Sequence, residues 1–168
     1  MSRLRRIADR DRIFFLTTNL APSAAPFSAI ERDVVCLEID RQHAKGDFAL
    51  FAWVVMPTHL HLLMAPDRIG LAAAMQQLKR STALRIAAAR RVSAPIWQPR
   101  YFDFVLRRAG DFWDKLEYIR QNPVVAGLVR KAADWKWSSA CRSGDGPKTD
   151  PIDFPVDRNA WLHRGPRS

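Results

Sequence analysis

The stretch FALFAWVVMPTHLHLLMA (48–65) decides the fold. Its first half, 48–56, is continuously apolar, rich in aromatic and β-branched residues, and too short for a typical helix, so it reads as a buried strand. Pro57-Thr58 breaks the run and HLHLLMA (59–65) resumes it, which predicts a hairpin. Working outward, IFFLTTNL (13–20) ends at Ala-Pro and reads as another strand. Between that strand and the hairpin, Ser28 and Glu31 have the spacing of a capping box, which opens a helix running to about Lys45-Gly46. Beyond the hairpin, Leu71, Met75, Leu78, Thr82 and Ile86 form one stripe of a helix over 71–91. Gln77, Arg80, Arg85 and Arg90 fall largely outside that stripe. WQPRYFDFVLR (97–107) passes from a proline-interrupted turn into an alternating strand. Asp111 is expected to cap a further helix with Phe112, Leu116 and Ile119 inward, stopping at Asn122-Pro123 because the residue before a proline resists the α region.

The order β-α-β-β-α-β-α predicts an α+β protein, with a ferredoxin-like antiparallel sheet and its helices packed on one side. The 168 residues suit one domain. It is expected over 1–140, with a basic N-terminal arm at 1–12 and an irregular tail at 141–168. The short segment VVAGLV (124–129) and DWKWSSA (134–140) close the compact part.

Charge narrows the function. The 27 Lys and Arg outnumber the 17 Asp and Glu, giving a net charge of +10 and a pI near 10.6. A polyanionic partner follows from that balance, and an acidic or disordered chain does not. Two separate cysteines, Cys36 and Cys141, give neither a disulfide framework nor a cysteine zinc site, and fit a reducing cytoplasm. No apolar run approaches the roughly 20 residues that span a bilayer. There is no P-loop, no dinucleotide-binding glycine motif and no nucleophile elbow.

Three constellations could carry chemistry. His59 and His61 are two apart on a strand, so both imidazoles share one face while Leu60 enters the core on the other. Such a pair suits a divalent cation, and it also suits a half-exposed sheet surface. Tyr118 and Asn122 lie about one helical turn apart on one face. A tyrosine hydroxyl can attack phosphorus and an amide oxygen can complete a metal shell. Equally, the first residue could be an amphipathic core tyrosine and the second a helix cap. The third group is basic and aromatic: Trp97, Arg100, Tyr101, Arg107 and Arg108, then Trp113, Arg120, Arg130, Trp135, Lys136 and Trp137. Single-stranded nucleic acid is held by cationic tracks with aromatic faces, although most tryptophans of a small domain fill its core.

Taken together, the blocks resemble a known family. VVMPTHLHLLM (54–64) is similar to the HUH motif of single-tyrosine transposases. WQPRYFDFVLRR (97–108), EYIRQNPVVAGLV (117–129) and WKWSSA (135–140) resemble, in order, the blocks of the REP-associated tyrosine transposases of the IS200-like superfamily. The resemblance covers about 12–140. It implies the HUH nuclease fold, with His59 and His61 holding Mg²⁺ or Mn²⁺ and Tyr118 as nucleophile. Asn122 falls where relatives carry a glutamine ligand, one methylene longer. The implied substrate is a single-stranded palindromic hairpin of the REP type, cleaved through a 5′-phosphotyrosine link. Candidate DNA contacts are Arg3, Arg5, Arg6, Arg80, Arg100, Arg107, Arg108 and Arg120. The implied setting is a bacterial cytoplasm, at the nucleoid and not at a membrane, with the protein a monomer or a homodimer. A hairpin-binding protein that no longer cuts is the competing expectation, and a basic RNA-binding domain a third.

Overall fold

The computed structural model describes residues 12–143. Four strands form one sheet: β1 (Phe14–Asn19), β2 (Phe48–Val55), β3 (His59–Pro66) and β4 (Phe102–Val105), in the order β2-β3-β1-β4. All three neighbouring pairs are antiparallel. Three main helices connect or follow them: α1 (Ala29–Ala44), α2 (Leu71–Arg90) and α3 (Ala109–Val125). A 3₁₀ turn (Ala132–Asp134) and a short helix, α4 (Ser139–Ser143), come last. This is the expected order of elements and the ferredoxin-like α+β sheet. No helix among the described residues is long and apolar enough to cross a membrane.

The hairpin forms where the sequence breaks, with the Met56 N–H donating to the His59 carbonyl at 2.8 Å across Pro57-Thr58. Leu60, Leu62 and Met64 of β3 point to one face, where Val35 and Ile39 of α1 and Met75, Leu78 and Ile86 of α2 cover them. The stripe of α2 is buried in full, including Thr82, whose hydroxyl accepts from the Trp97 indole N–H at 2.9 Å. On the other face, Phe15, Phe51, Ala52, Val54 and Leu63 pack against Ile119 of α3. Helices therefore lie on both faces of the sheet, not on one. The reason is visible in β2: a bulge between Leu50 and Ala52 turns Phe51 and Ala52 both toward α3, so that face also needs apolar cover.

Three boundaries differ from expectation. Asp111 sits inside the first turn of α3, and its carboxylate accepts from the Arg107 and Arg108 N–H groups, each at 3.1 Å. Pro123 does not stop the helix, which runs on to Val125. The last turn closes with Ala126 N–H on the Asn122 carbonyl (3.0 Å) and Leu128 N–H on that of Pro123 (2.9 Å), so only the proline's own donor is missing. The strand expected within 97–107 is confined to β4, because Pro99 precedes it and only β1 pairs with it. Trp53, Trp97 and Trp135 are core residues, whereas Trp113 is exposed. Helix α4 runs on to Ser143, so the first three residues of the expected tail (141–168) are helical; the rest of that tail, and the expected arm (1–12) except Arg12, lie outside the described residues.

The Ser28–Glu31 capping box is present, with the Ser28 N–H donating to the Glu31 carboxylate at 2.7 Å. The same carboxylate takes Arg90 Nε at 2.6 Å and Nη2 at 2.8 Å, clamping the start of α1 to the end of α2. The Arg90 guanidinium, with the Ser28 N–H, holds the Glu31 carboxyl down from 4.5 to about 2. A depressed carboxyl contributes stability that is whole above its unfolded pKa and is lost as pH falls toward the folded one. Glu31→Gln should therefore cost about 1–3 kcal/mol at neutral pH. Urea denaturation should show that difference shrinking as pH falls from 4.5 toward 2.

Candidate active site

The face of the sheet under α3 carries one polar island. Thr17 of β1 pairs with His61 of β3, and Asn19 with His59, so all four side chains point toward α3. The two imidazole centroids are 4.7 Å apart. His61 is 4% exposed and has Phe15 stacked on it at 5.4 Å. Its Nδ1 meets the Thr17 hydroxyl at 2.8 Å, while its buried Nε2 has no hydrogen-bond partner. His59 is half-buried, with Nδ1 3.2 Å from the Thr58 hydroxyl. The Asn122 side chain lies within hydrogen-bonding reach of His59.

Helix α3 brings the other two residues in. Ile119, fully buried, fixes the helix against Phe15 and Leu63. The preceding residue, Tyr118, then meets His61 edge-on at 5.3 Å and Phe15 at 5.7 Å. It remains 49% exposed, so the ring is packed on one side and open on the other. Lys115, one turn earlier, places its Nζ 5.7 Å from the Tyr118 ring and 4.7 Å from that of Phe15. Because the helix continues through Pro123, Asn122 belongs to its body and shares the face of Tyr118.

Burial pushes the His61 imidazole down to about 3, and the charges of His59 and Lys115 act in the same direction. Burial also lowers His59, partly offset by its hydrogen bond with Asn122. Both rings are thus neutral near pH 7, the form in which imidazole ligates metals. Thr17 occupies Nδ1 of His61 while the buried Nε2 has no partner, so Nε2 is the nitrogen left to take a ligand. Two neutral imidazoles with a neighbouring amide oxygen are a donor set that fits a divalent cation. Among the described residues there is no group of three or more His, Cys, Asp and Glu that could hold a metal ion.

The expected residues His59, His61, Tyr118 and Asn122 are therefore brought together. The arginines are spread more widely. Arg100 lies in the loop before β4, and Arg107 and Arg108 are exposed between β4 and α3. Arg80 is exposed on α2, across the sheet from the histidines. Arg120 sits about 200° round α3 from Tyr118, with its Nε 4.0 Å from Glu117. Arg3, Arg5 and Arg6 lie outside the described residues. Thr17, Phe15 and Lys115 were not anticipated. The alternation of β1 puts Phe15 and Thr17 on one face, but which strand they oppose is set by a pairing 44 residues long in sequence.

Comparison with known proteins bears on the family and the fold. The family model described as "Transposase IS200 like" matches residues 32–122. The chain is 25% identical over 141 residues to the REP-associated tyrosine transposase of Escherichia coli (strain K12), spanning 83% of this chain and 82% of the relative. It also superposes with a TM-score of 0.67 and 25% identity on a solved REP-associated tyrosine transposase bound to a REP hairpin, covering 80% of this chain and 79% of that one.

The packing of α3 yields a direct test. Ile119→Val should cost about 1 kcal/mol and Ile119→Ala about 2–5 kcal/mol in urea unfolding, since neither leaves a residue that fills the Phe15–Leu63 contact.

Proposed function

Because the chain belongs to the IS200-like transposase family, we propose that it binds palindromic hairpin DNA of the REP type and cuts the adjoining single strand through a covalent bond to Tyr118. The observation that carries the reading is the Tyr118 ring 5.3 Å from His61, whose buried Nε2 has no partner. A half-exposed tyrosine ring thus lies against an imidazole with a nitrogen left to take a ligand. In this reading the Tyr118 hydroxyl oxygen attacks the scissile phosphorus. The Tyr–O–P bond forms, the P–O3′ bond breaks, and the proton goes to the departing 3′-oxygen. The product is a 5′-phosphotyrosine and a free 3′-hydroxyl, and the same hydroxyl can attack back to rejoin strands.

His59, His61 and Asn122 would hold Mg²⁺ or Mn²⁺, which when bound would neutralise charge on the phosphate. The remaining work is done by the chain. Ile119 and Phe15 fix the position of Tyr118, the open side of its ring admits DNA, and the Lys115 ammonium adds a positive charge beside it. Thr17 holds the His61 ring in place through its contact with Nδ1. Asn122, although shorter than glutamine, reaches His59, which supports it as the third ligand. Arg100, exposed before β4, and Arg107 and Arg108, exposed after it, would grip the DNA backbone. One chain supplies both histidines and the tyrosine, so a monomer suffices for the chemistry. In this reading the protein would work on bacterial chromosomal DNA, at the nucleoid.

The test uses 3′-labelled palindromic DNA from the flanks of the protein's own gene, with Mg²⁺ or EDTA, on a denaturing gel. Label should shift to the mass of the protein only with the metal, and not at all with Tyr118→Phe, whose hairpin binding should stay within a few-fold. Tight binding without an adduct under any metal would instead establish the silent hairpin binder. The double variant His59→Ala, His61→Ala should lose the metal-dependent adduct. Thr17→Val, which removes only the hydroxyl on His61, should weaken Mn²⁺ binding about 10- to 100-fold by calorimetry.

A further inference from the structure

Strand β4 presents aromatic rings to solvent. Phe102 is 59% exposed and Phe104 39%, on a strand whose outer edge pairs with no other strand among the described residues. Exposed phenylalanines on an open edge strand invite unwanted association, and soluble proteins usually put charge or proline there instead. The register says where these rings point. Phe102 opposes Thr17, which opposes His61, and Phe104 opposes Phe15. Residues directly opposite in antiparallel strands share a face, so both phenylalanines lie on the face of the candidate active site. The Lys115 Nζ confirms this for Phe104, sitting 5.4 Å from that ring and 4.7 Å from that of Phe15. Phe102 is two strand spacings, roughly 10 Å, from His61.

Charge selects the occupant. Arg100 precedes the strand and Arg107 and Arg108 follow it, all exposed, and Lys115 stands over its inner side. Aromatic faces framed by cations are the means by which proteins hold single-stranded nucleic acid, stacking on bases while the charges track phosphates. We propose that Phe102 and Phe104 form a platform on which bases of the single strand beside the scissile phosphate stack, setting how far that strand is drawn toward Tyr118. The proposal rests on the DNA reading above and adds the positioning residues that reading lacks.

The test measures binding by the full chain, in EDTA so that nothing is cut. The probes are hairpins from the palindromes flanking its own gene, either blunt or carrying a single-stranded extension in which 2-aminopurine is placed at successive positions. Wild type should bind the extended hairpin more tightly than the blunt one and quench 2-aminopurine at the stacked positions. Phe102→Ala and Phe104→Ala should each weaken the extended probe about tenfold and the pair about a hundredfold, with blunt-hairpin binding unchanged and the quench lost. Phe102→Tyr, which keeps the ring, should retain both signals. The double leucine variant keeps apolar volume without a π face, so wild-type behaviour from it would overturn the proposal. So would equal binding of extended and blunt probes by wild type. A wild-type dimer that the double alanine variant dissolves, with DNA binding intact, would reassign the strand to contact with a second copy and overturn it too. If wild type binds neither probe, the DNA reading falls and the platform with it.

Discussion

The structure depends on a sheet that must be covered twice. Strands β2 and β3 are apolar on both faces, and one face alone is satisfied by α1 and α2. The second face would leave Phe15, Phe51, Val54 and Leu63 in water if α3 did not dock there through Ile119. Burying such side chains stabilises by about 1.5–3 kcal/mol each, so the docking of α3 follows from the composition of the hairpin. The candidate active site is a consequence of that docking. It lies where the second layer ends and the sheet's apolar surface gives way to His61, His59, Thr17 and Asn19.

This placement explains the electrostatics of the histidines. A ring at the margin of an apolar layer loses water before it gains a partner, and the charged imidazolium is the form that suffers. His61 is therefore held neutral, with one nitrogen occupied by Thr17 and the other without a hydrogen-bond partner. An unpartnered buried polar atom carries a cost that natural proteins rarely accept without a function. A cation held at that nitrogen would recover the cost.

Much of this was legible in the chain. The hairpin, the stripe of α2, the Ser28–Glu31 cap and the shared face of His59 and His61 are local facts of period and spacing, and each stands in the structure. Tyr118 and Asn122 were legible as one face of a helix, yet nothing local said that this helix crosses to the far side of the sheet. That depends on the bulge at Phe51, which changes which residues of β2 point to α3. Pro123 misled for a definable reason. Near the end of a helix its missing donor removes a single bond while the following turn closes on the Asn122 and Pro123 carbonyls, so the helix continues. Thr17 was invisible because a hydrogen bond across two strands depends on register, which no short window of sequence contains.

The two edges of the sheet are treated differently, and the difference bears on function. The outer edge of β2 is closed by the chain's own later segment: the Val55 N–H donates to the Trp137 carbonyl at 2.8 Å, and the Trp53 N–H to the Ser139 hydroxyl at 3.1 Å. Arg32 stacks over Trp137 at 3.9 Å and holds that segment down. The fold thus has the means to cover an edge and uses them on the side where no candidate site residue lies. At β4, beside Thr17 and the histidines, the described chain leaves the edge uncovered and places aromatic rings on it. A sheet that needed protection alone would gain more from shielding the edge with exposed phenylalanines than the one already lined by buried Trp53 and Val55. The asymmetry is what a fold shows when one edge supports the core and the other receives a strand of different chemistry.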